Sequence, residues 1–250
     1  MKTIALLIAI ATLTPAQTED SEKKVQFEVA SIRPANQDGD HDSSTDKGFF
    51  RTHNLTLKQL IARAWEVNIE QIYGGPNWVD SDSYDISARI PEEFAQQRRE
   101  KVPRMIQSLL ADRFQLVIHR EPRRISGYAL VVAKKGSRME RAKPEEEGSG
   151  VDGSDTHLTA KNVTMEAFAK NLSRVRDVGK VVVDKTGLKG GFDFELDWIP
   201  EGLESRPEPS SEDHPSIFTA LQDQLGLKLE FGKVSVLAIV IDSAKKPDGN

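Results

Sequence analysis

The 250-residue chain sets 34 Lys and Arg against 39 Asp and Glu, a net charge of −5, and contains no cysteine. That balance leaves no electrostatic footprint for nucleic acid. The missing thiols exclude disulfides, thiolate metal sites and a lipid anchor on cysteine.

Lys2, an apolar run over residues 4–13 and the small residues Thr14-Pro15-Ala16 read as a cleavable export signal, residues 1–16, cut after Ala16. The run is shorter than the roughly 20 residues a bilayer-crossing helix needs, and no later stretch approaches that length. The expected location of the mature chain is therefore periplasmic or extracellular, with no membrane-spanning segment after signal cleavage.

Beyond the signal the chain repeats itself. A strand over 25–32 comes first. Leu57, Leu60, Ile61, Ala64 and Trp65 then mark one face of a helix. Thr56 caps that helix, with Gln59 completing a capping box. Tyr84, Ile86, Ala88 and Ile90 alternate with polar residues as a half-buried strand. A second helix is expected over 102–114, followed by strands over 115–120 and 127–134.

Residues 139–155, rich in Glu, Gly, Ser and Asp, read as a linker. The same plan then returns. Asn162-Val-Thr-Met-Glu-Ala-Phe168 matches Asn54-Leu-Thr-Leu-Lys-Gln-Leu60 at an offset of 108, and Phe192-Asp-Phe-Glu-Leu196 falls on Tyr84-Asp-Ile-Ser-Ala88. A Pro/Ser/Glu insertion over 201–215 precedes a helix over 216–225, which Gly226 closes as a left-handed cap. Strands over 227–231 and 234–243 complete the chain. The expected fold is α+β: two tandem β-α-β-β-α-β-β units, residues 25–138 and 156–246, with helices packed on small mixed sheets.

The strand–helix pattern, with Asn54-Leu-Thr-Leu-Lys-Gln-Leu60 before a first helix and Leu110-Ala-Asp-Arg-Phe-Gln-Leu116 leading into a strand, resembles the short N-terminal domain of secretins and TonB-dependent receptors. That resemblance implies an interaction module. The segments at 27–34, 74–86, 182–194 and 215–230 are also similar to an uncharacterised secreted family of soil bacteria, described only as a domain of unknown function. Some of its members are fused to membrane-embedded, antibiotic-sensor-like peptidase modules. This resemblance implies periplasmic sensing and brings no catalytic residues.

The candidate sites are few. Asp184-Lys185-Thr186-Gly187 nearly spells a phosphorylation motif, but Leu188 stands where Thr is required, and a turn with Gly187 and Gly190 at positive φ accounts for it. Asp38, Asp40 and Asp42 alternate as hard-cation ligands would, yet Ser43 and Phe49 occupy the positions an EF-hand gives to Gly and Glu, so a solvated loop is expected. The histidines at 41, 53, 119, 157 and 214 show no metal spacing. Asp85 and Asp193 share one repeat position, which points to a duplicated structural role. Asn54 and Asn162 fit the glycosylation sequon, but helix capping is the better reading. The loop Gly74, Gly75, Pro76 with Trp78 is the expected interaction surface, since loops carry function more often than cores do. No pattern calls for a cofactor. The sequence points to a non-catalytic interaction or sensing module whose partner is an envelope or membrane protein. The alternative is a secreted hydrolase with its site between the two repeats.

Overall fold

Residues 25–35, 41–46, 48–143, 148–200 and 215–247 are described by the computed structural model. The export signal, Asp38 and Asp40 of the acidic loop, and residues 201–214 of the insertion, His214 among them, lie outside them. Among the described residues, no helix is long and apolar enough to cross a membrane.

The protein is α+β. In the first half, β1 (Val29–Pro34), β2 (Asp42–Asp46), β3 (Phe49–Thr56) and β5 (Ser83–Arg89) form an antiparallel sheet in the order β1-β5-β3-β2. The helix α1 (Leu57–Ala64) starts as its residues require. Gln59 N–H donates to Thr56 Oγ1 at 3.2 Å, and Thr56 N–H donates to Gln59 Oε1 at 2.8 Å. After it come β4 (Ile72–Gly74), α2 (Trp78–Ser81) and α3 (Arg98–Arg113). The helix α3 begins four residues earlier than the apolar spacing suggests, because a 3₁₀ turn over Glu92–Gln97 feeds directly into it.

The second half repeats the order. β7 (Glu140–Arg141), β8 (Gly150–Gly153), β9 (His157–Val163) and β11 (Phe192–Asp197) form the sheet β7-β11-β9-β8, with α4 (Met165–Leu172) capped by Thr164. The segment read as a linker thus supplies the two edge strands of this sheet. The helix α5 (Ile217–Ala220) widens into a π turn over Leu221–Leu225 and stops at Gly226, whose φ is +67°.

The largest difference from the sequence reading lies in the closing strands. The apolar spacing predicts two closing strands in each half; each half ends in one long strand, β6 (Val117–Val132) and β12 (Leu227–Ser243). They pair antiparallel along their length, from Val132 opposite Leu227 to Val117 opposite Ser243. The polar stretch 121–126 and the Gly232-Lys233 pair read as breaks between strands. In the ribbon 121–126 pairs with 233–238 and Gly232 with Gly127, so the opposite strand satisfies the backbone of both. Pro122 sits where β6 has one neighbour, the setting in which a sheet accepts proline.

This ribbon carries the chain of each half into the other. The short β10 (Val182–Asp184) runs parallel beside β6 at 128–130, and β4 runs parallel beside β12 at 239–241. The first core, around Leu60, Ile61, Ile106 and Phe114, is completed by Ile239 and Ile241 of β12. The second, around Phe168, Leu172, Leu196 and Leu221, includes the fully buried Leu130 of β6. A small third cluster of Ile125, Val181, Val234 and Val236 fills the middle of the ribbon.

Gly226 is required at its position twice over. Its backbone is left-handed, and a Cβ there would run into the carbonyl oxygen of Gly136. Gly226→Ala is expected to destabilise the protein by more than the ~1 kcal/mol that left-handed backbone alone costs an L-residue. Urea unfolding checks this; an unchanged midpoint would show that the turn at Gly136 yields freely.

Candidate functional site

The helix α1 ends in a Schellman motif. Val67 N–H donates to Ala62 O at 3.0 Å and Glu66 N–H to Arg63 O at 3.3 Å. The residue in the left-handed position, with φ +50°, is Glu66 and not glycine. An L-residue there costs about 1 kcal/mol, so the position of this carboxylate is held against a backbone preference.

The Glu66 side chain reaches the other half. It accepts from Lys170 Nζ at 2.9 Å and lies 3.6 Å from the Arg174 guanidinium. Burial by itself would raise the Glu66 carboxyl; the Lys170 hydrogen bond and charge, with Arg174 behind them, outweigh it and hold the group below its ordinary value. Glu66 and Arg174 stand at the same offset, 108, that relates Asn54 to Asn162. The two equivalent positions therefore meet, with opposite charge, where the halves join. Lys180 and Glu70 add a third ion pair across this join at 3.5 Å.

Two grooves open on either side of Glu66. One, of about 550 Å³, lies between the end of α1 and α4, with Arg120, Ser235 and Leu237 of the ribbon on its floor. Leu237 is half exposed there. The other, of about 730 Å³, runs between α1 and α3. Its floor is apolar, with Ala62, Val67, Val102 and Pro103, and its rim carries Arg63, Arg98, Arg99 and Arg174. The desolvation of Arg63 in this groove, followed by the like charge of Arg174, holds its guanidinium below the ordinary value; Asp42 opposes both.

The residues singled out in the sequence fall elsewhere. Gly74 and Gly75 have φ of +74° and +82° and lie against β12, where a Cβ on Gly74 would come within 3.0 Å of Ile241 O. Trp78 is half buried, stacked on Phe114 at 6.5 Å, with Lys246 Nζ 5.8 Å from its ring. The loop Gly74–Trp78 leaves β4 at the end away from the groove; the start of β4 follows Gln71, which lines it. Asp85 and Asp193 do the same job twice. Asp85 Oδ1 accepts Asn54 N–H at 2.9 Å and Asp193 Oδ1 accepts Asn162 N–H at 2.6 Å, each at an irregularity between paired strands. Both asparagines are left-handed, and Asn54 is 1% exposed, which closes it to a glycan. Asp184 Oδ1 accepts from Thr186 N–H at 2.8 Å and Thr186 Oγ1 at 2.7 Å, as the turn reading requires. No cluster of three metal-ligating side chains occurs among the described residues.

One arrangement has the connectivity of a nucleophile, a base and its orienting acid. His157 Nδ1 lies 2.6 Å from Asp197 Oδ1, and His157 Nε2 lies 2.9 Å from Thr159 Oγ1. Strand geometry accounts for it. His157 and Asp197 are cross-strand partners, and Thr159 follows His157 by two residues on the same face. β9 is paired on both sides, by β8 and by β11, so ladder bonds take up the backbone N–H groups that an oxyanion hole would use. His53 lies 2.9 Å from Asp85 and His119 2.8 Å from Asp242, each pair beside a register irregularity between adjacent strands.

A family model described as "Protein of unknown function (DUF3738)" matches residues 58–244. No curated protein and no solved structure matches the chain.

Proposed function

The chain belongs to the DUF3738 family of proteins of unknown function, and from that premise we propose that it works outside the cytoplasm as a non-catalytic module that holds a polypeptide partner along α1. The observation that carries this reading is the pair of grooves joined at Glu66, one with a mixed floor and the other, between α1 and α3, with an apolar floor and a charged rim. Deep apolar recesses with a few convergent charges are what recognition sites offer. Glu66, the carboxylate at their centre, is ion-paired and held ionised, so it has no proton to give near neutral pH. The composition of residues 1–16 supports export, and an envelope or membrane protein is the partner class. The loop Gly74–Asn77 offers a second, smaller exposed surface at the far end of β4.

The test is photo-crosslinking in native cells, with a benzophenone amino acid in place of Val67 in the groove or in place of the exposed Lys189. The expected result is a chain lacking residues 1–16 outside the cytoplasm, joined to a polypeptide from position 67 and not from 189. An uncut cytoplasmic chain, or equal crosslinking from both positions, overturns the reading. The rival, a secreted hydrolase, has one specific observation behind it, the Thr159–His157–Asp197 chain. It predicts ester hydrolysis by the wild type that Thr159→Val abolishes. Turnover that survives Thr159→Val removes these residues as its source.

A further inference from the structure

We infer that the groove between α1 and α3 takes a polypeptide segment bearing carboxylates beside apolar side chains, gripped by Arg63, Arg98, Arg99 and Arg174. The inference rests on the interaction reading above and names the chemistry of the partner.

The protein is acidic overall, so four arginines around one groove are not part of a generally basic surface. Their charges are poorly met among the described residues, Asp42 opposing only part of the burden on Arg63. Among the described residues, neither Arg63 nor Arg98 has a carboxylate within ion-pair distance. Arg99 meets Asp152 at 3.4 Å, with both side chains almost fully exposed, and Arg174 shares Glu66 with Lys170. Such exposed pairs are weak and easily exchanged. Arg63 is held in place by the Phe50 ring, 5.6 Å from its guanidinium carbon. Incoming carboxylates would relieve the repulsion between Arg63 and Arg174, and the arginine fork binds them with two parallel hydrogen bonds.

The floor decides the rest. Val67, Val102 and Pro103 offer nothing to a bare inorganic anion, and their burial rewards apolar side chains. The recess lies between two helices, so a flat bilayer would touch only its rim. A chain segment that alternates acidic and apolar groups satisfies both floor and rim.

The experiment is selection of a displayed library of random dodecapeptides on the full chain. Enriched peptides are expected to combine Asp or Glu with Leu, Ile or Phe, and to bind less tightly as salt rises. Their affinity should fall about tenfold on Arg98→Ala or Arg63→Ala, in variants whose circular dichroism is unchanged, and similarly when the peptide's Glu is replaced by Gln. Arg98→Lys should lose less than Arg98→Ala. Peptides without an acidic bias, or acidic peptides indifferent to Arg63 and Arg98, overturn the groove assignment while leaving the interaction reading standing. No enrichment at all overturns both. Anionic phospholipid vesicles that bind the chain and displace the peptides overturn it in favour of a membrane surface.

Discussion

Residues 25–138 and residues 139–250, produced separately, are each expected to remain unfolded, and to regain native circular dichroism and protease resistance when mixed. The reason is the exchange of closing strands. Without β12, the first half loses Ile239, with no exposed surface, and Ile241 from its core, and β4 loses its only sheet neighbour among the described residues. Without β6, the second half loses Leu130 from its core and the strand beside β10. Each deeply buried aliphatic side chain contributes ~2 kcal/mol through burial alone, and the bared ribbon would leave a row of unpaired backbone groups. Against the 5–15 kcal/mol that is about the whole stability of a domain, such losses leave little. Mixing restores every lost contact, because the chain is severed between β6 and β7, where no pairing is broken. A fragment of residues 25–138 that unfolds cooperatively by itself would show that its core does not depend on β12.

Leu130→Ala and Ile239→Ala are each expected to cost about 2–5 kcal/mol, the range for truncating a large aliphatic side chain in a packed core. Their location makes them informative. Leu130 belongs to the first half of the sequence and packs in the second core, and Ile239 does the reverse. The tryptophans report on the cores separately: Trp65 and Trp78 pack against the first, and Trp198 is buried in the second. In variants that retain only the tryptophans of one core, urea unfolding should show one transition. Either substitution should move it to lower urea by the same amount whichever core is observed. If Leu130→Ala displaced only the Trp198 signal, the two cores would be unfolding independently and the ribbon would not be coupling them.

The candidate site was partly legible. The offset of 108 equates Asn54 with Asn162 and Asp85 with Asp193; the structure adds that each aspartate supports the left-handed asparagine of its own half. Extending the same offset by twelve residues pairs Glu66 with Arg174. Opposite charges at equivalent positions were the available sign of a contact where the halves join. Nothing local marks Glu66 as left-handed, since glycine is the usual signal for that backbone and is absent here. The arginine rim was invisible for another reason: Arg63, Arg98 and Arg174 are distant in sequence, and only the packing of α1 on α3, with the join at Glu66 that brings in Arg174, gathers them.

What the sequence alone determined is everything set within a few residues. The capping box at Thr56 and Gln59, the stop at Gly226, the turn around Asp184 and the apolar faces of α1 and α4 follow from local hydrogen bonding and side-chain period, which do not depend on distant partners. What only the tertiary structure decided is which half each closing strand serves. Nothing within β6 or β12 specifies which core its ends enter, because both cores are built from the same kinds of aliphatic and aromatic side chains. The choice falls to the ribbon. Its unbroken pairing satisfies the backbone of the two polar middles and places one end of each strand in either core.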